Sequence, residues 1–391
     1  MILRLIVAAV AIYCAVWSVR LAIADQRAQR NLPGLETAIA MEPADSVLLA
    51  RAALFKNNNG DMSESVDRQL LQAARMDPLN SALPTALGLR EEFRGHLAES
   101  ERYLVHAADI DHTFKPAWTL AAFYVRNNQP EKSWPSIRRV LNLNPLAYDL
   151  TPVFDLCWNQ TTNSKQILDL IPSRGGVPIQ YLYYLIARKR FDAAMDVWPR
   201  AIGAVDPSDP ASAESMSAFP EYLIQANRAS DAVRVWNQLV ARGIVNSGKL
   251  DPAAGISIAD PDFRFTQTER GFAWRVMQGA IKTSPGIKFE FDGEEPESLV
   301  LLTTIAPLIP GKSYRVIWTA DASQLSSPRD PGFVLQIANS MDCQPLLQTC
   351  RFTAKPDRDW AQINLLYKRA LGTTRARGQI EIKKISMEPA Q

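Results

Sequence analysis

Histidine is nearly missing from this chain, and neither sign of charge dominates. His96, His106 and His112 are the only three among 391 residues, and all fall in one short stretch. No HExxH, GxSxG or CxxC motif accompanies them. The residue types that hold a metal or run acid–base chemistry are not grouped in sequence, so no metal, cofactor or enzymatic activity is expected. Lysine and arginine number 43 against 41 aspartates and glutamates, a formal charge of +2. So even a balance builds no basic field, and nucleic acid is not an expected partner. The cysteine count, four in all, supports export.

A nucleotide site is also excluded, although Ala306–Ser313 reads APLIPGKS and fits a phosphate-loop pattern. Such a loop needs a helix after it, whose N-terminus and backbone N–H groups hold the phosphates. Here SYRVIWTAD follows, β-branched, aromatic and alternating, which is a strand. Pro307 and Pro310 remove two N–H donors from the loop itself. The stretch reads as strand, Pro-Gly turn, strand.

What is present begins with an apolar N-terminus. Leu5–Val19 carries no charge and is flanked by Arg4 and Arg20. With both arginines reaching the interface, Ile2–Ala24 is expected to cross a bilayer. A cleaved signal peptide is the rival, with Ala22-Ile23-Ala24 as its cleavage site. Arg20 near that site favours a retained anchor over residues 1–24. Either way the bulk of the chain is exported. Cys14 follows Ala-Ile-Tyr and lacks the small neighbour of a lipidated cysteine. Cys343 and Cys350 bracket CQPLLQTC; a disulfide there suits an oxidising compartment, and two unpaired thiols is the alternative. Cys157 reads as a buried small hydrophobe.

Residues 32–245 repeat. AMEPADS, RMDPLNS, DIDHTFK and LNLNPLA align at Pro43, Pro78, His112 and Pro145, a period near 34. The unit from Ser81 has Leu87-Gly88, then Gly95 at the turn, then Leu104 and Ala107 on the second helix; the unit from Lys115 has Trp118, Ala121-Ala122 and Val125. These features resemble tetratricopeptide repeats: helical pairs that stack because none buries its apolar face alone. The pattern weakens toward residue 245, where Phe191-Asp192-Ala193-Ala194 and Ala229-Ser230-Asp231-Ala232 still open second helices. Asn58 and Asn127, with Arg126, fall late in first helices and fit a groove that clamps a peptide; NNNG and NNQP also read as plain turns.

NSGKLDPAAG, residues 246–255, reads as a linker. Beyond it the period drops to 2. Phe272, Trp274 and Val276 alternate with Ala273 and Arg275, Ile287, Phe289 and Phe291 with charges, and Tyr314, Val316 and Trp318 with Arg315 and Ile317. Further strands are expected over 299–305, 333–338, 361–367 and 379–385. Seven or eight strands in about 130 residues predict an antiparallel β-sandwich over residues 256–391. Asp292, Glu294 and Glu295 follow a strand and read as a solvated turn rather than glycosidase acids or calcium ligands. In DWAQINLLY, Ala361, Ile363 and Leu365 share one face while Trp360, Gln362 and Asn364 share the other. An aromatic beside two amides suits a sugar; a tryptophan at the sandwich edge is the plainer reading. Trp360, Gln362 and Asn364, with Arg275, are the candidate glycan residues.

GFAWRV, PGIKFEFDG and IAPLIPGKSYRVIWTADAS together resemble the jelly-roll tail of exported bacterial tetratricopeptide proteins. That tail is similar to carbohydrate-binding modules of the galactose-binding-like fold. The resemblance implies a single-pass inner-membrane protein with its bulk in the periplasm. It implies an adaptor in exopolysaccharide or O-antigen assembly, the repeats holding a protein and the tail a glycan or protein. A polysaccharide-modifying enzyme and a cytochrome-maturation-type chaperone are the alternatives.

Overall fold

Small residues and left-handed turns build the helical part. The computed structural model describes residues 2–28, 32–143, 148–206, 210–265, 269–283, 285–326, 332–337, 341–343, 349–369 and 375–390. The chain forms two compact units, Met1–Tyr184 and Leu185–Gln391.

The first unit opens with α1 (Ile2–Ala28) and α2 (Leu32–Met41). Three helical pairs follow: α3 (Ser46–Asn58) with α4 (Glu64–Met76), α5 (Ala82–Phe93) with α6 (Leu97–Ile110), and α7 (Phe114–Arg126) with α8 (Pro130–Asn142). Then come α9 (Thr151–Gln160), α10 (Ser164–Leu168) and α11 (Val177–Ala187), which runs across the division between the units. Each of the three pairs turns through a residue of positive φ: Gly60, Gly95 and Asn128. A helix that must reverse at once needs one left-handed residue, which glycine supplies freely and asparagine tolerates. These positions recur at about the expected 34-residue interval. Pro145, the last repeat marker expected from sequence, lies outside the described residues.

Alanine lets the pairs close up. Ala50, Ala53, Ala73 and Ala86 are buried together with Leu49, Val66, Leu70, Leu83 and Leu87. A Cβ on Gly88 would stand 2.7 Å from the Leu104 side chain, so α5 and α6 meet where the sequence has no side chain. Asp45 caps α3 by accepting from the Val47 and Leu48 amides at 2.9 and 3.1 Å.

The first helix differs from its sequence reading. Among the described residues, no helix is long and apolar enough to cross a membrane. The end of α1 instead belongs to the array. Ala24 is buried with Leu35, Ala38, Leu48 and Ala52, and Arg20 pairs with Glu42 at 2.7 Å. The expected boundary after residue 24 is therefore crossed by packing, because Arg20 finds its counter-charge on α2's C-terminal flank.

The second unit carries α12 (Phe191–Ala204), α13 (Pro210–Ser217), α14 (Phe219–Gln225) and α15 (Ala229–Ala241). Two helices start where the alanine pattern places them, at Phe191 and Ala229. Lys189 and Asn227 supply the positive φ before them. Among the described residues ten strands follow: β1 (Arg275–Val276), β2 (Ile281–Thr283), β3 (Gly286–Phe291), β4 (Ser298–Pro307), β5 (Ser313–Leu325), β6 (Phe333–Ile337), β7 (Met341–Cys343), β8 (Thr349–Thr353), β9 (Trp360–Lys368) and β10 (Gly378–Pro389). They make two antiparallel five-stranded sheets in the orders β1-β4-β9-β6-β7 and β2-β3-β10-β5-β8. Inward residues such as Phe289, Tyr314, Trp318, Ile363, Leu365 and Ile382 form one core between the sheets. The expected Phe272–Val276 strand shrinks to two residues; Phe272 and Trp274 are buried from irregular backbone, the Trp274 indole donating to the Asp260 carbonyl at 2.9 Å.

APLIPGKS is the connection from β4 to β5, which lie in different sheets. Gly311 takes positive φ there, and the Ile309 amide donates to the Tyr314 hydroxyl at 2.7 Å. Asp292, Glu294 and Glu295 form a self-satisfied turn: Glu295 accepts from the Asp292 and Gly293 amides, and Asp292 from the Glu294 amide. Cys350 is disulfide-bonded, while the side chain of Cys343 lies outside the described residues. The backbone places the two cysteines on β7 and β8, edge strands of opposite sheets. Cys157 is a free buried thiol, its pKa pushed up to about 12 by burial.

Residues 246–255 are held rather than loose. Trp236 donates its indole N–H to the Gly248 carbonyl at 3.0 Å, and Asn237 makes two 2.8 Å bonds to the Leu250 backbone. At the far end of the sandwich's chain path, a Cβ on Gly255 would stand 2.7 Å from the Pro389 ring.

Candidate functional site

The candidate glycan residues meet on the outer face of one sheet. In β9, Ala361, Ile363 and Leu365 point into the core while Trp360, Gln362 and Asn364 face outward. Register then gathers the polar row. Arg275 pairs with Thr303, Thr303 with Asn364, and Asn364 with Gln336 across β1, β4, β9 and β6. The Thr303 hydroxyl donates to Asn364 Oδ1 at 2.6 Å. Gln362 Nε2 donates to the same oxygen at 2.9 Å and to Thr303 Oγ1 at 3.1 Å. Asn364 is nearly inaccessible, whereas Gln362 is exposed.

The last helical pair lies against one end of this row. Arg275 Nη2 contacts Glu221 of α14 at 2.8 Å. Trp360 Nε1 donates to Asn227 Oδ1 at 3.4 Å, and Asp359 Oδ2 accepts from the Ala229 amide at 2.9 Å. Asp359 thus satisfies an orphan N–H at the start of α15. Trp360 is the first residue of β9, the central strand of its sheet, and stands half-buried beside the amide row. The structure brings together all four predicted residues and adds Thr303 and Gln336, which sequence reasoning missed. Their signal was the outward parity of β4 and β6, legible only once the strand register is known.

The groove candidates are placed differently. Arg126 binds Glu92 with two bonds, Nε at 2.9 Å and Nη2 at 2.7 Å, and Asn127 Nδ2 adds a third at 3.1 Å. Both residues therefore fasten α7 to the preceding pair. Asn127 also caps its own helix through the Phe123 carbonyl, as Asn59 does through Phe55. Asn59, not Asn58, is the structural equivalent of Asn127, because the left-handed residue follows directly in each turn. Asn58 is exposed and accepts only a 3.5 Å contact from Asn57.

A third cluster was missed altogether. Arg90 is 2% exposed on α5. It binds Asp67 Oδ1 at 2.5 Å, the Asp61 carbonyl at 2.6 Å and the Ser63 carbonyl at 3.0 Å. Arg94 also binds Asp67. Burial pushes the Asp67 carboxyl up, but the bonds and charges of Arg90 and Arg94 outweigh it and hold its pKa below the usual value. Lys132 and Tyr124 hold Glu101 low in the same way, at 2.6 and 3.0 Å. An arginine in the apolar helix ALPTALGLREEF carried no hint of which turn it would fill.

Some apolar surface stays uncovered. Phe55 on α3 and Leu89 and Phe93 on α5 are exposed, Phe93 at 80%. On α7, Phe114 stacks between Trp118 and Tyr148 at centroid distances of 6.4 and 4.4 Å.

Neither protein-family models nor curated proteins match this chain. Solved structures are similar to just over half of the chain. YrrB, described as a TPR protein with an unusual peptide-binding site, is 12% identical over 53% of this chain and 91% of its own, at a TM-score of 0.28. PilF of Pseudomonas aeruginosa is 13% identical over 57% and 90%, at 0.30. A human IFIT1 dimer with PPP-AAAA is 16% identical over 55% and 46%, at 0.29. Likeness this low selects no ligand, so the expected exclusion of nucleic acid rests on charge balance alone. The helical pairs and their period of about 34 residues stand on the chain's own geometry.

Proposed function

We propose that this protein is a non-enzymatic scaffold whose helical repeats hold a protein partner. The observation that carries this reading is the exposed apolar side chains on two successive first helices, Phe55 and then Leu89 and Phe93, followed on the third by the half-buried Phe114–Trp118 stack. Isolated exposed apolar residues mean little, but aromatics repeated along an array supply the anchors that interfaces use. The inter-repeat ties through Glu92, Asp67 and Glu101 support it by fixing the spacing of those anchors.

The finer reading is a membrane-anchored periplasmic adaptor in envelope polysaccharide assembly, with the sandwich touching glycan. Its support is the exposed apolar surface of α1, the interleaved strand order of β3–β10, which is that of a jelly roll, and the Gln362–Asn364–Thr303 row beside Trp360.

A photoreactive residue at Phe93 in the producing cell tests the scaffold. It is expected to cross-link one protein, lost when Leu89 is changed to Arg. Cross-links to lipid alone, or none, would sink the reading. Affinity electrophoresis of the full chain through gels holding the host's envelope polysaccharide tests the glycan. Retardation that Trp360→Ala abolishes supports it; unretarded migration removes it.

A further inference from the structure

We infer that α1 seats the repeat array in lipid as a stiff mount, with Trp17 and Arg20 at the headgroup level, Tyr13 and Cys14 a turn deeper, and no flexible tether. This rests on the membrane part of the reading above. The observation is a continuous helix with two contrasting ends. Ile6, Val7, Val10, Ile12, Val16 and Val19 are all exposed. At 100° per residue they point to nearly every side of the helix axis. A protein groove covers one stripe of a helix, whereas lipid surrounds it, so the all-round pattern fits a bilayer rather than a partner chain.

The other end is polar, aromatic and fixed. Tyr13 and Trp17 stack at a centroid distance of 6.0 Å, and the Arg20 guanidinium lies over Trp17 at 5.7 Å. Spacings of four and three put all three on one face. Tyrosine, tryptophan and arginine are the side chains that settle at a membrane–water interface. Ile6 to Trp17 spans about 17 Å of helix, close to the depth of one leaflet. One turn later the helix is locked. Arg20 pairs with Glu42 and donates to the Met41 carbonyl, and Ala24 is buried among Leu35, Ala38, Leu48 and Ala52. A single exposed arginine–carboxylate pair contributes little, but this carboxylate is mostly buried and joins an apolar contact one turn on. The helix therefore leaves the array at a fixed angle, and the array's first pair is held against the lipid surface.

Cys14 is a free, exposed thiol in α1, and Cys157 is buried, so one nitroxide can be placed there on the full chain. The protein goes into vesicles of phosphatidylethanolamine and phosphatidylglycerol. The label is expected to be relaxed by oxygen and not by a water-soluble nickel chelate. With a second label at Arg68→Cys, the spin–spin distance is expected to be narrow and to broaden about twofold in Glu42→Gln. Arg20→Gln is the second variant should Glu42→Gln fail to fold by circular dichroism. A label relaxed by the nickel chelate overturns the lipid seat and the membrane anchoring with it. A label reached by neither agent means copies pack through α1, which overturns the lipid seat as well. A lipid-seated label with a broad distance, equal in both proteins, overturns the stiff mount and leaves the anchoring standing.

Discussion

Trp236 of α15 stands edge-on to Phe272, their ring centroids 5.7 Å apart and their planes at 82°. Both are almost fully buried, and Gly271 has no side chain because a Cβ there would stand 3.0 Å from the Trp236 ring. This contact joins the last helical pair to the sandwich within the second unit. Phe272→Ala is expected to lose about 3–5 kcal/mol, read as a lower urea midpoint of the full chain. Loss below about 1 kcal/mol would mean that the two parts do not support each other.

Segment 246–255 is expected to resist limited proteolysis, since Trp236 and Asn237 hold its backbone. Gly248→Ala would place a Cβ 2.2 Å from the Ala259 carbonyl oxygen. It is expected to open that segment to protease and to cost about 1–3 kcal/mol. A cleavage pattern unchanged from the parent would show that the segment is not pinned there.

Arg90→Ala strips one of its two arginine partners from Asp67, and the donor from two carbonyls in the turn before α4. Breaking a buried, well-bonded ion pair costs about 3–5 kcal/mol, and chemical denaturation of the variant is the check. Arg90→Met keeps volume but not bonds. Near-parental stability for that variant would show the network is dispensable.

Asp67 and Glu101 have pKa values lowered in the folded state. Carboxyls lowered on folding give stability that is present above their unfolded pKa. It is lost as pH falls through the folded one. Melting temperature is thus expected to drop below about pH 4, and Asp67→Asn to flatten part of that drop. A parallel acid limb in Asp67→Asn would acquit this residue.

Asn128 holds φ at 50° in the turn between α7 and α8. Asn128→Gly is expected to be neutral or gain a few tenths of a kcal/mol, and Asn128→Val to lose about 1–2 kcal/mol. Equal melting temperatures for the two would contradict the left-handed turn.

The repeat was legible because it is written twice, in the marker Asp77-Pro78 and in alanines where helices touch. The strands were legible where apolar residues alternate, as in Ile287–Phe291. Legibility failed where function is a matter of register. Nothing local says that Thr303 sits beside Asn364, or that Glu92 takes both Arg126 and Asn127, since those pairings are set by strands and repeats far apart in the chain. Short edge strands such as β7 and β8 lack the length to show a period, and Phe272–Trp274 shows one without being a strand. The end of α1 misled because an apolar run says how much surface seeks cover, not what will cover it.

Gly255 and Pro389 touch, so the chain path comes into the sandwich and leaves it at one corner. Fraying at Pro389 is therefore felt at Gly255 as well: the first and last residues of the sandwich brace each other, and the two ends are expected to loosen together.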